Sequence, residues 1–289
     1  AAPPRSSKNL ALLLGAVVVL AIAVFAAVKL LPRSSAPVAS SAAPARPMRM
    51  TRLTDTGKSI EAAISPDGKV LAHVKQDKGI ASLWITQVST ASSVEILPPS
   101  TRNIWDPIFD RGGEFIYFIG QDRTSEIPAL YRVPSLGGTP RKILDRVAET
   151  ITLSPDGNRF AFVRRDPASS KSMILVANID GSAERLLATK EPPESFSDGP
   201  AWSPDGTLIA VPVQTVRTSI DGYVVTLPAE GGAEQRLSTH NWLDVSEIAW
   251  YPDGTGLVLE ASEGFGGGQL WEIAYPSGAE RRITNDVAT

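Results

Sequence analysis

The 289-residue sequence contains no cysteine and only two histidines, His73 and His240. Without cysteine there is no disulfide, no thiol nucleophile and no thiolate metal site. The sequence also lacks a Gly-x-Ser-x-Gly nucleophile elbow, and its glycine-rich stretch 264–268 lacks the lysine and the helix of a phosphate-binding loop. We therefore predict no catalytic, cofactor-binding or metal-binding residue within this chain.

Acidic residues outnumber basic residues after the first fifty residues. Residues 1–50 contain six basic residues and no acidic residue, whereas the remainder contains 22 basic and 31 acidic residues. A nucleic-acid-binding surface needs a basic footprint that neutralises phosphates. The acidic balance of the main part of the chain therefore argues against a nucleic acid partner.

One long apolar run is present, over Leu10–Val28, and it contains no charged residue. At about 1.5 Å per residue, its nineteen residues are long enough to cross a hydrocarbon core of about 30 Å. The alternative is a signal peptide, whose apolar region usually runs about 7–15 residues. We predict an N-terminal flank over 1–9 and a transmembrane helix over 10–31, through which the chain associates with the membrane. A disordered spacer rich in Pro, Ser and Ala follows over 32–49.

From residue 50 onward the sequence repeats a four-residue phrase. Ser-Pro-Asp-Gly occurs three times and Tyr-Pro-Asp-Gly once. A looser variant, Asp-Arg-Gly-Gly, is the second of the five phrases along the chain. The closing glycines are 45, 44, 49 and 48 residues apart, which is the spacing of a repeat protein. Each repeat contains four short alternating or apolar runs typical of strands, joined by turn residues. The sequence predicts an all-β fold, a β-propeller of four-stranded antiparallel blades over 50–289, with five blades at about 55–97, 103–144, 148–187, 197–237 and 245–284.

The repeated phrase is interpreted as a tight turn between the first two strands of each blade. Proline presets φ near −65°, aspartate bonds nearby amides, and glycine supplies a positive φ. Metal binding by these aspartates is the alternative, but one carboxylate per blade does not converge on one point. The predicted structural turn residues are Asp67, Gly68, Gly113, Asp156, Gly157, Asp205, Gly206, Asp253 and Gly254.

Binding, if it occurs, is expected in irregular loops between the repeats. Candidate loops are Pro98–Asp106, Lys190–Gly199 and His240–Asp244. Three large side chains in them, Trp105, Phe196 and Trp242, are possible partner-binding residues, because such side chains often anchor interfaces. Packing within the propeller is the alternative for each of them.

The repeats resemble those of TolB-type, WD-repeat-like propellers. Ala201-Trp202-Ser203-Pro204-Asp205-Gly206 and Leu237-Ser238 match the two ends of that family's unit, and the resemblance extends from about Met50 to Thr289. It is specific for the fold and much less so for the function. The order of apolar run, spacer and propeller is also similar to bacterial membrane proteins in which a Ser/Thr protein kinase or a winged-helix domain precedes the helix.

The resemblance implies a single-pass inner-membrane protein with an extracytoplasmic, periplasmic propeller. The basic residues flanking the apolar run oppose this orientation, because four follow it and two precede it. The leading hypothesis is a non-catalytic sensor or protein-interaction domain, with a protein or peptide ligand, in a signalling protein. The alternatives are a TolB-like periplasmic scaffold in an envelope complex and the propeller of a larger hydrolase.

The segment Arg52-Leu53-Thr54 reads like a fourth strand, but the fifth repeat already has one in Arg281–Ile283. An unpaired strand edge invites association with other chains. We therefore expect the five blades to form an arc or a strained ring, completed by at least one further blade after Thr289. Pairing of Arg52–Thr54 with the fifth blade would contradict this expectation.

Overall fold

Twenty-one β-strands account for the regular structure in the computed structural model, which describes residues 52–285 apart from 55, 126, 265 and 266. They form five separate antiparallel sheets, one for each sequence repeat. Among these residues no helix is long and apolar enough to cross a membrane. The predicted flank, transmembrane segment and spacer lie outside the described residues.

The first two blades each contain four strands in sequential order. Blade 1 consists of β1 (Ser59–Ile64), β2 (Val70–Asp77), β3 (Ile80–Gln87) and β4 (Ser93–Ser100). Blade 2 consists of β5 (Asn103–Phe109), β6 (Phe115–Gln121), β7 (Ala129–Pro134) and β8 (Arg141–Asp145). Strands β4 and β5 thus occupy most of Pro98–Asp106, which the sequence suggested was a loop.

Blades 3 to 5 repeat the arrangement with one irregularity. Blade 3 consists of β9 (Thr152–Leu153), β10 (Arg159–Arg165), β11 (Ser172–Asn178) and β12 (Arg185–Lys190). Blade 4 consists of β13 (Glu194–Phe196), β14 (Ala201–Trp202), β15 (Leu208–Val216), β16 (Ile220–Pro228) and β17 (Gln235–Arg236). Blade 5 consists of β18 (Asp244–Trp250), β19 (Gly256–Ser262), β20 (Gln269–Ala274) and β21 (Glu280–Arg282).

The first strand of blade 4 is divided in two, since both β13 and β14 pair with β15. The interruption contains Gly199, where a Cβ atom would lie 2.0 Å from Thr150 Cγ2 of blade 3. Only glycine allows the two backbones to approach so closely. Strand β13 lies inside the candidate loop Lys190–Gly199, and sequence reasoning did not predict it.

The apolar core lies between the blades. Among the described residues, separate clusters join blades 1 and 2, 2 and 3, 3 and 4, and 4 and 5. None of these clusters joins blade 5 to blade 1. The blades therefore stabilise one another mainly through neighbouring sheets, as in other repeat proteins.

The seam between blades 5 and 1 differs from the others at the residue before the turn phrase. At this position Phe109 and Trp202 are about 7% and 6% exposed because each packs against the preceding blade, whereas Ile64 is 60% exposed. Residues Arg52–Thr54 are not in a strand, and the fourth strand of blade 5 is β21. The further blade expected after Thr289 stays a prediction.

A row of polar side chains crosses all four strands of blade 1. His73 is buried; its Nδ1 lies 2.9 Å from the Ser59 hydroxyl and its Nε2 lies 2.9 Å from Thr86 Oγ1. Thr86 Oγ1 in turn lies 2.6 Å from Ser93 Oγ. Burial, with a smaller effect of Lys75, lowers the pKa of His73, so the ring is neutral at pH 7. The neutral ring links β1, β2 and β3 through its two hydrogen bonds.

Candidate functional site

The topology divides the loops of the propeller between two ends. The turns after the first and third strands of each blade lie at one end, which we call the turn face. The loops after the second strand and the connections between blades lie at the other, which we call the loop face. All three candidate loops contain a connection between blades and so reach the loop face.

The repeated phrases form near-identical hairpin turns on the turn face. Gly68, Gly113, Gly157, Gly206 and Gly254 all have φ between +71° and +78°. In the first phrase the Ser65 hydroxyl donates to Asp67 Oδ1 over 2.7 Å, and the Lys69 amide donates to the same oxygen over 3.1 Å. These bonds lower the pKa of Asp67 to about 2. Asp156, Asp205 and Asp253 occupy equivalent turns and accept local hydrogen bonds in the same way.

The variant phrase of blade 2, Asp110-Arg111-Gly112-Gly113, forms the same turn without a proline. The amide of Gly113 donates to the Asp110 carbonyl over 3.1 Å. Asp110 Oδ1 accepts the amide of Phe115 over 2.9 Å, the bond that Ser65 Oγ makes with Val70 in the first phrase. The carboxylate of Asp110 therefore substitutes for the serine hydroxyl, and the same backbone bond from the closing glycine to the first residue of the phrase recurs in every blade.

The three candidate partner-binding side chains lie in the packing between blades. Phe196 is fully buried between blades 3 and 4, and Trp242 is 1% exposed between blades 4 and 5. Trp105 is half-buried between blades 2 and 3. The packing alternative therefore accounts for Phe196 and Trp242, and only Trp105 retains appreciable exposed surface.

A ring of mutually interacting carboxylates lines the central channel. The first strands of blades 1 and 2, of blades 3 and 4, and of blades 4 and 5 contact one another and so line this channel. Each blade contributes one acidic residue, which lies within the first strand in blades 1, 2 and 5, before it in blade 3 and between its two halves in blade 4. We call these residues the channel carboxylates: Glu61, Asp106, Glu149, Asp198 and Glu247.

The channel carboxylates are close enough to affect one another's ionisation. Burial, followed by the negative charges of the other four, raises the pKa of Asp106 to about 7. Burial also raises the pKa values of Glu61, Glu149 and Glu247, and the charge of Asp198 adds to each. The result is a concentration of negative charge contributed by all five blades.

Local backbone irregularities position several of these side chains. The pairing of β5 with β6 shifts register between Trp105 and Ile108, and Asp106 there has φ +50°. Glu247 has φ +49° at a register shift in β18. Such bulges change the direction of a side chain within a strand. The Glu247 amide also donates to Asp198 Oδ2 over 3.2 Å, which links blades 4 and 5 at the channel.

Sequence reasoning missed the channel carboxylates, although a signal was present. Each of them precedes the closing glycine of its turn phrase by seven or eight residues. An acidic residue recurring at that place in all five repeats lies within or beside the innermost strand of each blade.

A cleft of about 580 Å³ opens between blades 2 and 3. We call it the arginine cleft; it is lined by Ile127, Pro128, Arg146, Ala148, Arg165, Asp166, Pro167 and Ser170. These residues belong to the loop before β7, the connection after β8 and the β10–β11 hairpin, so the cleft lies on the loop face. Arg165 connects it to the channel, because its Nη2 lies 2.6 Å from Glu149 Oε1.

The histidines do not form a metal site. His240 packs against Trp242 and Trp271, with ring centroids 5.0 and 5.4 Å away, and its Nε2 lies 3.3 Å from Glu263 Oε1. Within the described part of the chain, no group of three or more metal-binding side chains is arranged to hold an ion.

Solved structures with similar folds identify the architecture. A putative TolB from Agrobacterium tumefaciens superposes with a TM-score of 0.65 at 20% identity, covering 81% of this chain and 83% of that one. The fold is that of a TolB-like β-propeller. TolB from Acinetobacter baumannii gives a TM-score of 0.62 at 19% identity over 77% of this chain, which spans 53% of that protein.

The TolB-like fold is shared with an enzyme. An oligogalacturonate lyase in complex with manganese gives a TM-score of 0.61 at 19% identity, covering 81% of this chain and 67% of that one. No family model and no curated protein matches the sequence. At these identities the likeness establishes the fold, and function has to be argued from the site.

Proposed function

We propose that this propeller is a non-catalytic interaction domain that binds a cationic segment of a protein partner on its loop face. The observation that carries the proposal is the ring of channel carboxylates, to which every blade contributes. Lysine or arginine side chains entering the channel neutralise charges that otherwise repel one another. Complementary charge of this kind gives specificity and fast association.

The rest of the molecule is consistent with this choice of face. The aspartates of the turn face are committed to hydrogen bonds within their own turns. The channel carboxylates, in contrast, line the channel, and the arginine cleft opens on the loop face. A TolB-like fold agrees with a protein ligand, because the resemblance noted in the sequence implies a role in protein complexes.

The cellular setting rests on the apolar run and on the family resemblance, and it is part of the proposal. The apolar run Leu10–Val28 tethers the propeller to the inner membrane, and the propeller faces the periplasm. The domain then serves either a signalling protein or an envelope scaffold of the TolB type. Both settings use the same loop face for binding.

A labelled peptide of alternating lysine and alanine tests the proposed partner chemistry. The full chain is titrated with this peptide at pH 8 and low salt, and fluorescence anisotropy reports binding. Replacing Glu61 and Glu247 together by glutamine is expected to weaken binding about tenfold, which corresponds to about 1.4 kcal/mol. Binding is also expected to weaken as the pH falls through about 7, because Asp106 then becomes neutral.

The matched control removes two glutamates that lie away from the channel. Glu95 on the outer strand β4 and Glu114 at the turn face are both exposed. Replacing them by glutamine changes the net charge equally and is expected to change binding less than about twofold. Equal losses in the two double variants, or equally tight binding of a glutamate–alanine peptide, would contradict the proposal.

A further inference from the structure

The arginine cleft has the size and the lining of a site for a small ligand. Its volume of about 580 Å³ lies within the range of about 300–1,000 Å³ that ligand pockets occupy. Ile127, Pro128, Ala148 and Pro167 give it an apolar wall. Ile127 is 45% exposed, so this wall faces solvent.

The polar groups of the cleft are not equally available. The Arg165 guanidinium is bound to Glu149 through Nε and Nη2. The Asp166 carboxylate accepts the Ala168 amide and the Ser169 hydroxyl within its own hairpin. The guanidinium of Arg146, by contrast, makes no hydrogen bond or ion pair with any residue that the structure describes, although its charge contributes a small part of the lowering of the Asp166 pKa.

Arg146 is nevertheless held firmly by its backbone. Its amide donates to the Pro128 carbonyl over 2.8 Å, and its own carbonyl accepts Arg164 Nε over 3.3 Å. Its φ of +60° fixes an unusual direction for the side chain. An anchored arginine with free donors beside an apolar wall is suited to bidentate recognition of a carboxylate.

We infer that the arginine cleft binds an organic carboxylate with an apolar body, the carboxylate pairing with Arg146 and the body lying against Ile127 and Pro167. A free aliphatic or aromatic acid and the C-terminal residue of a peptide share this chemistry. The inference does not depend on the proposed cationic partner, because it concerns a different cleft and the opposite charge.

Calorimetric titration of the full chain with three probes tests the inference and separates the two sources. The probes are 3-phenylpropionate, N-acetyl-Ala-Phe with a free carboxylate, and the same dipeptide as its amide. The acids are expected to bind with dissociation constants of about 1 mM, and the amide at least tenfold more weakly. Tighter binding of the dipeptide acid indicates a peptide C-terminus, and tighter binding of phenylpropionate indicates a free acid.

Two arginine variants locate the site. Arg146→Met keeps an apolar side chain of similar length and is expected to weaken binding of the acids at least tenfold. Arg141→Met is the matched control, because Arg141 is an exposed arginine at the opposite end of β8. Unchanged circular dichroism and Tm show that each variant is folded.

The inference is wrong if neither acid binds at concentrations up to about 10 mM. It is equally wrong if Arg146→Met and Arg141→Met bind the acids alike, or if the amide binds as tightly as the acid. Filling the cleft with Ala148→Leu is expected to abolish binding of both acids, and retained binding would place the site elsewhere.

Discussion

At the scale of single residues, the sequence predicted the turn residues but did not predict the channel carboxylates. The turn at Asp67 and Gly68 is local, because every bond that stabilises it comes from residues 65–70. The channel carboxylates come together only after five sheets have formed and packed. Their proximity is a property of the assembled blades, and no single stretch of sequence contains it.

Asp106 provides a test of this non-local electrostatics. Burial and the other channel carboxylates raise its pKa from 3.8 to about 7 in the folded protein. The folded state then holds a proton that the unfolded state has lost between about pH 4 and pH 7, so this group's contribution to stability falls as the pH rises through that range. Above about pH 7 the charged Asp106 destabilises the fold by a constant amount.

Replacing Asp106 by asparagine is therefore expected to stabilise the protein at pH 8, by about 1–3 kcal/mol, since one pK unit corresponds to about 1.4 kcal/mol. The gain is expected to disappear near pH 4. Urea denaturation of the full chain at both pH values measures it. Asp221→Asn is the control, because this partly exposed carboxylate lies at the start of β16 and is not one of the channel carboxylates. A gain that does not depend on pH would rule out the electrostatic cause.

At the scale of strands and hairpins, alternation and turn residues predicted most of the elements. The second strand of every blade begins two residues after the closing glycine of its turn phrase, because that turn reverses the chain. The first strands were harder to bound. Strand β5 begins at Asn103 inside a predicted loop, and β13 was missed because it is three residues long and pairs only with β15.

The hairpin between β5 and β6 allows the role of the closing glycine to be measured against its neighbour. Gly113 has φ +71° and open space around the position of a Cβ atom, so an alanine there meets only the cost of the left-handed backbone. Gly112 has no such φ, and a Cβ atom there would lie 3.6 Å from Glu114 Cγ, an ordinary contact.

Gly113→Ala is expected to destabilise the protein by about 1 kcal/mol. Gly112→Ala is expected to be neutral or to stabilise it by up to about 1 kcal/mol, because alanine restricts the unfolded chain. Urea midpoints at unchanged m-value compare the two variants. Similar effects at both positions would mean that the β5–β6 connection does not need its positive φ.

At the scale of the whole molecule, the number of repeats predicted the number of blades, but the sequence did not reveal how the seams differ. The same strand position is apolar in every blade, as Ile64, Phe109, Leu153, Trp202 and Trp250. In blades 4 and 5 it also bonds to the preceding blade, since the Trp202 amide donates to Thr152 Oγ1 and Trp250 Nε1 donates to the Ala201 carbonyl. Only the three-dimensional arrangement distinguishes the exposed Ile64, at the start of blade 1, from its equivalents, of which Phe109 and Trp202 are buried and Leu153 and Trp250 are half-buried.

The exposed Ile64 gives a measurement of whether the seam between blades 5 and 1 is covered in solution. Truncating a buried isoleucine to alanine usually costs about 2–5 kcal/mol, whereas exposed substitutions usually stay within about 0.5 kcal/mol. Ile116, which is fully buried between blades 1 and 2, is the matched control for the same substitution. We expect Ile116→Ala to cost at least about 2 kcal/mol and Ile64→Ala less than about 1 kcal/mol in urea denaturation of the full chain.

A large cost for Ile64→Ala would show that another surface covers the seam. If that cost grows with protein concentration, the covering surface belongs to a second copy of the chain; if it does not, the surface belongs to the same chain.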